Sequence, residues 1–148
     1  MSKARAIAIL MAEDDEDDRL LACEAFEESR LANELYLVKD GEELMDYLYR
    51  RGEYNEASAP RPGVILLDLN MPRKDGREAL REIKADPDLR RIPVVVLTTS
   101  KAEEDILRTY DLGVNSFIVK PVTFADLVEV MCALGRYWFE IVELPPYH

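Results

Sequence analysis

Residues 64–72, Val64-Ile65-Leu66-Leu67-Asp68-Leu69-Asn70-Met71-Pro72, run four branched apolar side chains straight into a carboxylate, an amide and a proline. A run without polar alternation predicts a strand buried on both faces, as in the middle of a parallel sheet. Asp68 then sits at the carboxyl end of that strand. In open α/β sheets ligands bind outside this edge, because the loops leaving the strand ends surround a crevice there. Asp68 is therefore the leading candidate for chemistry. The plainer alternative is a turn-capping role before Pro72, which suits Asp and Asn equally well.

The pattern recurs on both sides. Ala6-Ile7-Ala8-Ile9-Leu10-Met11-Ala12 is an apolar run that ends in Glu13-Asp14-Asp15-Glu16-Asp17-Asp18, and Ile92-Pro93-Val94-Val95-Val96-Leu97 ends in Thr98-Thr99-Ser100. Residues 34–38 and 116–119 read as shorter strands, the latter followed by Lys120-Pro121. Apolar residues at helical spacing predict helices over 16–29 (Leu20, Cys23 and Phe26) and 42–51 (Leu44, Met45 and Leu48). A third begins at Asp75-Gly76, turns Leu80 and Ile83 inward, and stops at Asp86-Pro87. A fourth runs from Ser100 to Leu112 with Gly113 as its left-handed cap, and Thr123 with Asp126 starts the last. Asp75 with Glu78, and Ser100 with Glu103, have capping-box spacing. Asp15 to Asp18 suit the positive end of the first helix, whereas Glu13 and Asp14 leave the strand too early for that role. Residues 52–63 read as a surface excursion, too short for an interdomain linker. Five repetitions of strand then helix predict an α/β fold with a doubly wound, five-stranded parallel sheet and helices on both faces.

Composition narrows the function classes. A chain of 148 residues suits one domain with a substantial core. A net charge of -11 repels phosphate backbones and anionic lipid, so no nucleic acid and no membrane are expected as partners. No run reaches the length of a membrane span and no signal-peptide core is present, so a cytoplasmic location is expected. Cys23 and Cys132 lie in apolar helical patterns without metal-ligand spacing, which predicts buried thiols. The only histidine is His148, the last residue, so histidine-based catalysis within the body of the domain is not expected.

Four strands thus end in groups with distinct chemistry: Glu13 and Asp14, Asp68, Thr98, and Lys120. The predicted topology puts these ends on one edge. Three neighbouring carboxylates need a counter-charge, because like charges raise one another's pKa. Mg2+ meets the need with hard oxygen ligands from carboxylates, a backbone carbonyl and water. Asp68 is then a plausible nucleophile for an acyl phosphate. Lys120 can pair with it or with phosphoryl oxygens, and the Thr98 hydroxyl can donate to the same group.

Leu10-Met11-Ala12-Glu13-Asp14-Asp15, Leu66-Leu67-Asp68-Leu69-Asn70-Met71-Pro72 with Gly76, Leu97-Thr98-Thr99-Ser100 and Val119-Lys120-Pro121 together resemble the signature of bacterial response-regulator receiver domains. The resemblance implies a flavodoxin-like strand order 2-1-3-4-5 and a receiver domain over residues 1–136. It implies that Asp68 accepts a phosphoryl group from the phosphohistidine of a sensor histidine kinase. Asp14 would be the main acidic Mg2+ ligand, Glu13 would act through metal-bound water, and Asn70 would add its backbone carbonyl. Thr98 and Lys120 would bind phosphoryl oxygens, and the Lys120-Pro121 bond would be cis. Thr98 and Phe117 match the positions of the family's conformational switch. Phe117 lacks the hydroxyl of the tyrosine that many relatives carry there, and the plainer alternative makes it simple core.

Residues 137–148 are too few for an output domain, so signalling is expected through another protein or by onward phosphotransfer. Trp138, Phe139, Ile141, Val142 and Leu144 make this extension apolar, as at an interface, unless it folds back on the last helix. The extension and the excursion at 52–63 resemble stand-alone response regulators that partner phytochrome-type histidine kinases, which implies a homodimer and an unknown downstream protein. Two rivals remain at this stage. A Mg-dependent phosphatase of the haloacid-dehalogenase kind would also use a strand-end aspartate, but it needs a second acid where this chain has Asn70. A receiver-like module that is never phosphorylated is the other.

Overall fold

The computed structural model describes residues 8–28, 34–69, 76–98 and 116–119, together with residues 125, 126, 128, 129, 132 and 133. In chain order they form β1 (Ala8–Ala12), α1 (Glu16–Glu28), β2 (Glu34–Val38), α2 (Gly41–Tyr49), β3 (Pro62–Asp68), α3 (Gly76–Ala85), a short 3-10 turn (Leu89–Arg91), β4 (Val94–Thr98) and β5 (Ser116–Val119). All neighbouring strands are parallel and their order is β2-β1-β3-β4-β5, as the strand–helix alternation and the resemblance led one to expect.

Alternate residues of each central strand enter opposite cores. Leu10, Ile65, Leu67, Val94 and Val96 pack against Leu44 and Met45 of α2 and Ala79, Leu80 and Ile83 of α3. Ile9, Met11, Val64, Leu66, Val95 and Leu97 pack with Ala22, Ala25 and Phe26 of α1. Both faces are buried, which is why these strands carry apolar residues without alternation. Each fully buried Leu or Ile contributes about 1.5–3 kcal/mol. In α1 Phe26 and Ala25 are buried as expected, but Leu20 is 59% exposed and the small Ala22 lies inward in its place, letting the helix approach the sheet. The cysteines are also less buried than expected, because Cys23 and Cys132 are both free and only half-buried. Burial, with Glu27 and then Glu24 nearby, pushes the Cys23 thiol up.

Strand boundaries move for physical reasons. β3 begins at Pro62, two residues before Val64, beside a register shift in which Ala8 faces Pro62 and Ile9 faces Val64. A proline is tolerated at the first residue of a strand or at a bulge, where its missing N–H is not needed. β4 begins at Val94 and not at Ile92, because Asp86 Oδ1 accepts from the Asp88 and Leu89 amides and winds the preceding residues into the 3-10 turn. The bond from the Leu89 amide, and then that from the Asp88 amide, hold the Asp86 carboxyl below the ordinary carboxylate range.

Residues 52–61 are more than a surface excursion. Asn55 Oδ1 accepts from the Ala57 amide at 2.8 Å and the Ser58 amide at 3.0 Å, folding the loop so that Ala59 is buried. The Tyr47 hydroxyl donates to Pro60 O at 2.8 Å, and the Tyr54 ring lies 5.3 Å from the Tyr47 ring. Arg50 ends α2 in the left-handed region at φ 56° and ψ 51°, a position usually given to glycine. Its Nε donates to Ala59 O at 3.1 Å, which ties the cap to the same loop. At the other end of α2, Asp40 Oδ1 accepts from the Glu43 amide, and Glu43 Oε1 accepts in return from the Lys39 amide, both at 2.8 Å. Glu43 Oε2 also takes the Tyr54 hydroxyl at 2.6 Å, and burial followed by this bond raises the Tyr54 phenol.

The Tyr47 hydroxyl is the test of this anchoring. Tyr47→Phe removes the donor to Pro60 O and should lower stability by about 1 kcal/mol in urea unfolding, with an unchanged m-value.

Candidate functional site

The β1–β3 register generates the site. Ala12 lies opposite Leu67, so the next residues, Glu13 and Asp68, come level on strands about 4.8 Å apart. Each follows, by twos, the residues that face α1: Ile9 and Met11 on β1, Val64 and Leu66 on β3. Glu13 is 1% exposed and Asp68 3%. Asp14, one residue further, is exposed. Carboxylate oxygens of Glu13, Asp14 and Asp68 lie within 4.8 Å of one another. The three acids expected at this edge are thus brought together.

The turn that carries Glu13 and Asp14 is held from several directions. Glu13 donates its amide to Val38 O at 3.0 Å. Its Oε2 accepts from the Asp15 amide at 3.1 Å. Asp15 Oδ1 in turn accepts from the Asp18 amide at 3.0 Å, the capping arrangement expected for acids at the start of a helix. Arg19 Nη1 donates to Glu13 O at 2.8 Å. Arg19 escaped the sequence reading, although it is the one cation directly following six consecutive acids.

The start of α3 approaches the end of β3 backbone to backbone. The Gly76 amide donates to Leu69 O at 3.2 Å. A Cβ at Gly76 would lie 2.5 Å from Leu69 Cα and 2.7 Å from Asp68 O, so only glycine lets α3 start this near the end of β3.

On the far side, Asp68 pairs with Leu97 and Thr98 pairs with Val119, which places Thr98 at the same sheet edge as Asp68. Phe117 lies inside β5, paired with Val96. Asn70, Lys120, the Lys120-Pro121 bond and Asp75 lie outside the described residues, as do the fourth helix and Trp138, Phe139, Ile141, Val142 and Leu144 of the extension.

Two buried carboxylates with a third beside them fit a divalent cation. Hard oxygen donors select Mg2+, Mn2+ or Ca2+ over softer metals. Donors on one octahedral Mg2+ are about 2.9 Å apart when adjacent and about 4.2 Å when opposite, so three oxygens within 4.8 Å of one another lie where a single ion could gather them. Among the described residues no histidine or cysteine joins this cluster.

Comparison with known proteins gives the arrangement its context. Residues 9–131 match the family model described as the response regulator receiver domain. The chain is 46% identical over 137 residues to response regulator Rcp1 of Synechocystis sp., covering 93% of this chain and 92% of that one. The crystal structure of the Mn2+-bound form of Rcp1 superposes with a TM-score of 0.78 at 45% identity, covering 94% of this chain and 99% of the other. The phosphorylated cyanobacterial phytochrome response regulator RcpA superposes with a TM-score of 0.81 at 46% identity, over 95% and 99% of the two chains.

Gly76→Ala should destabilise the protein by about 1–3 kcal/mol in chemical denaturation, because the clash is with backbone that cannot rotate away. Millimolar Mg2+ should raise the melting temperature, since a ligand that binds only the folded state stabilises it. Asp14→Asn should remove most of that rise in a thermal scan.

Proposed function

Because this chain belongs to the response-regulator receiver domain family, we propose that Asp68 is its phosphoryl acceptor, taking the group from the phosphohistidine of a sensor histidine kinase. The observation that carries this reading is the carboxylate cluster, in which a buried strand-end aspartate faces two further acids within 4.8 Å. An Asp68 oxygen attacks the phosphorus in line, an O–P bond forms, and the P–N bond to the kinase's histidine breaks. Burial of Asp68 keeps bulk water from its carboxylate, and the turn at 13–15 is already fixed before the donor arrives. Asp14, Asp68 and the Asn70 carbonyl would hold a Mg2+ ion, with Glu13 acting through metal-bound water, and the ion would supply positive charge for an anionic phosphoryl group beside three acids. Lys120 and the Thr98 hydroxyl bind phosphoryl oxygens, and Thr98 with Phe117 forms the switch that reports the phosphorylated state.

Kinship to Rcp1 and RcpA supports a phytochrome-type kinase as the donor. No helix among the described residues is long and apolar enough to cross a membrane, in keeping with a cytoplasmic regulator. Output passes through protein contacts or onward phosphotransfer, with Trp138, Phe139, Ile141, Val142 and Leu144 forming a homodimer interface beyond a receiver domain of residues 1–136. The chain's own chemistry is confined to its phosphorylation and dephosphorylation. A general phosphatase is disfavoured because Asn70 cannot act as the second acid.

Incubation with Mg2+ and acetyl phosphate or phosphoramidate should yield a single alkali-labile adduct in intact mass spectra, absent from Asp68→Asn. A phosphorylated Asp68→Asn protein, or steady turnover of unrelated phosphomonoesters, would sink this assignment.

A further inference from the structure

We propose that Arg19 is the positioning residue of the metal site: by holding the Glu13 carbonyl it orients the peptide that delivers the Asp14 carboxylate to the cation. The inference rests on the Mg2+ site proposed above and assigns a role there to a residue outside the ligand set.

Glu13 and Asp14 are secured in different ways. The Glu13 side chain has its own anchor, the Asp15 amide at 3.1 Å. Asp14 is exposed, and among the described residues no side chain bonds its carboxylate. Its direction is therefore set by the backbone, above all by the rotation of the Glu13–Asp14 peptide plane. The N–H of Glu13 is tied to Val38 O at 3.0 Å, which fixes the strand but leaves the following peptide plane free to turn. Arg19 Nη1 closes that freedom from the other side, reaching back six residues to Glu13 O at 2.8 Å. The Arg19 amide meanwhile bonds Asp15 O at 2.9 Å, so the guanidinium projects from a helical turn that Asp15 itself caps. The half-buried Arg19 side chain is thus supported by the acids it serves. A guanidinium on a carbonyl is a charge-assisted bond, stronger than a neutral one.

A purely electrostatic role predicts the opposite consequence. A guanidinium beside a divalent site repels the ion, so its removal alone would tighten Mg2+ binding. Loss of orientation weakens it, as removal of groups that orient metal ligands commonly does by about 10–100-fold. The sign of the change decides between them.

The experiment titrates full-length wild type, Arg19→Ala and Arg19→Lys with Mn2+, reading free ion by electron paramagnetic resonance, with Mg2+ as competitor. Arg19→Ala should bind both ions about tenfold more weakly. Arg19→Lys keeps a charge and a donor but loses the rigid fork, and should fall between the two. Phosphorylation by phosphoramidate should show the same split: a higher Mg2+ concentration for half-maximal rate, with the loss recovered at saturating Mg2+. Unchanged or tighter binding in Arg19→Ala overturns the proposal while leaving the Asp68 assignment intact. If Arg19→Ala does not fold, as judged by circular dichroism without metal, Arg19→Lys alone decides by the same criterion. A wild type that binds neither ion overturns the metal site and this proposal together, whereas phosphorylation of Asp68→Asn overturns only the acceptor.

Discussion

The structure depends on a conflict at the end of the β1–β3 pair. Parallel pairing with Ala12 opposite Leu67 brings Glu13 level with Asp68, and the apolar face they share leaves both almost without solvent. Two carboxylates so close and so dry repel one another, and exposed Asp14 adds a third. The fold cannot separate them without slipping the central register, and a one-residue slip would move the buried Ile9, Leu10 and Met11 of β1 to the wrong face. Hydrophobic burial over the length of two strands thus enforces the approach of the acids. A hard divalent cation is the natural relief for such a site, and an incoming phosphoryl group finds positive charge where the bare protein would present only negative.

The surrounding structure holds the site's backbone in place. The turn after β1 is fixed by the Val38 carbonyl, the Asp15 amide and Arg19. The start of α3 is set against the end of β3 by the approach of Gly76 to Asp68 and Leu69, where a methyl group has no room. On the other side of the sheet, Asp40 and Glu43 cap the start of α2, and Tyr54 from the excursion bonds Glu43. The excursion therefore braces the helix that follows β2, the strand whose Val38 carbonyl receives the Glu13 amide.

Much of this was legible from residue order. Runs such as Val64 to Leu67, bounded by turn residues, announce strands buried on both faces because four consecutive branched apolar residues leave no polar face for solvent. Acids, a hydroxyl and a lysine at the ends of such runs mark one edge, since parallel strands all finish on the same side. Other features were not legible. Leu20 looks like a core residue by spacing and is 59% exposed, because α1 packs on the sheet through Ala22, Ala25 and Phe26. Residues 52–61 look like a loose loop because their anchors, Tyr47 to Pro60 and Arg50 to Ala59, join positions nine and more residues apart. Arg19 was hidden among the acids because the carbonyl it serves has no signature in sequence.

The sequence by itself determined the parallel α/β architecture, the strand-end positions of Glu13, Asp14, Asp68 and Thr98, and the acidic character of the site, since these follow from patterning and strand direction alone. Only the tertiary structure decided that Glu13 and Asp68 stand level, that Gly76 allows α3 to start against the backbone of β3, and that Arg19 grips the Glu13 carbonyl. The physical reason is that strand register, backbone approach and side chain to backbone bonds depend on distances between segments, and distance is set by packing.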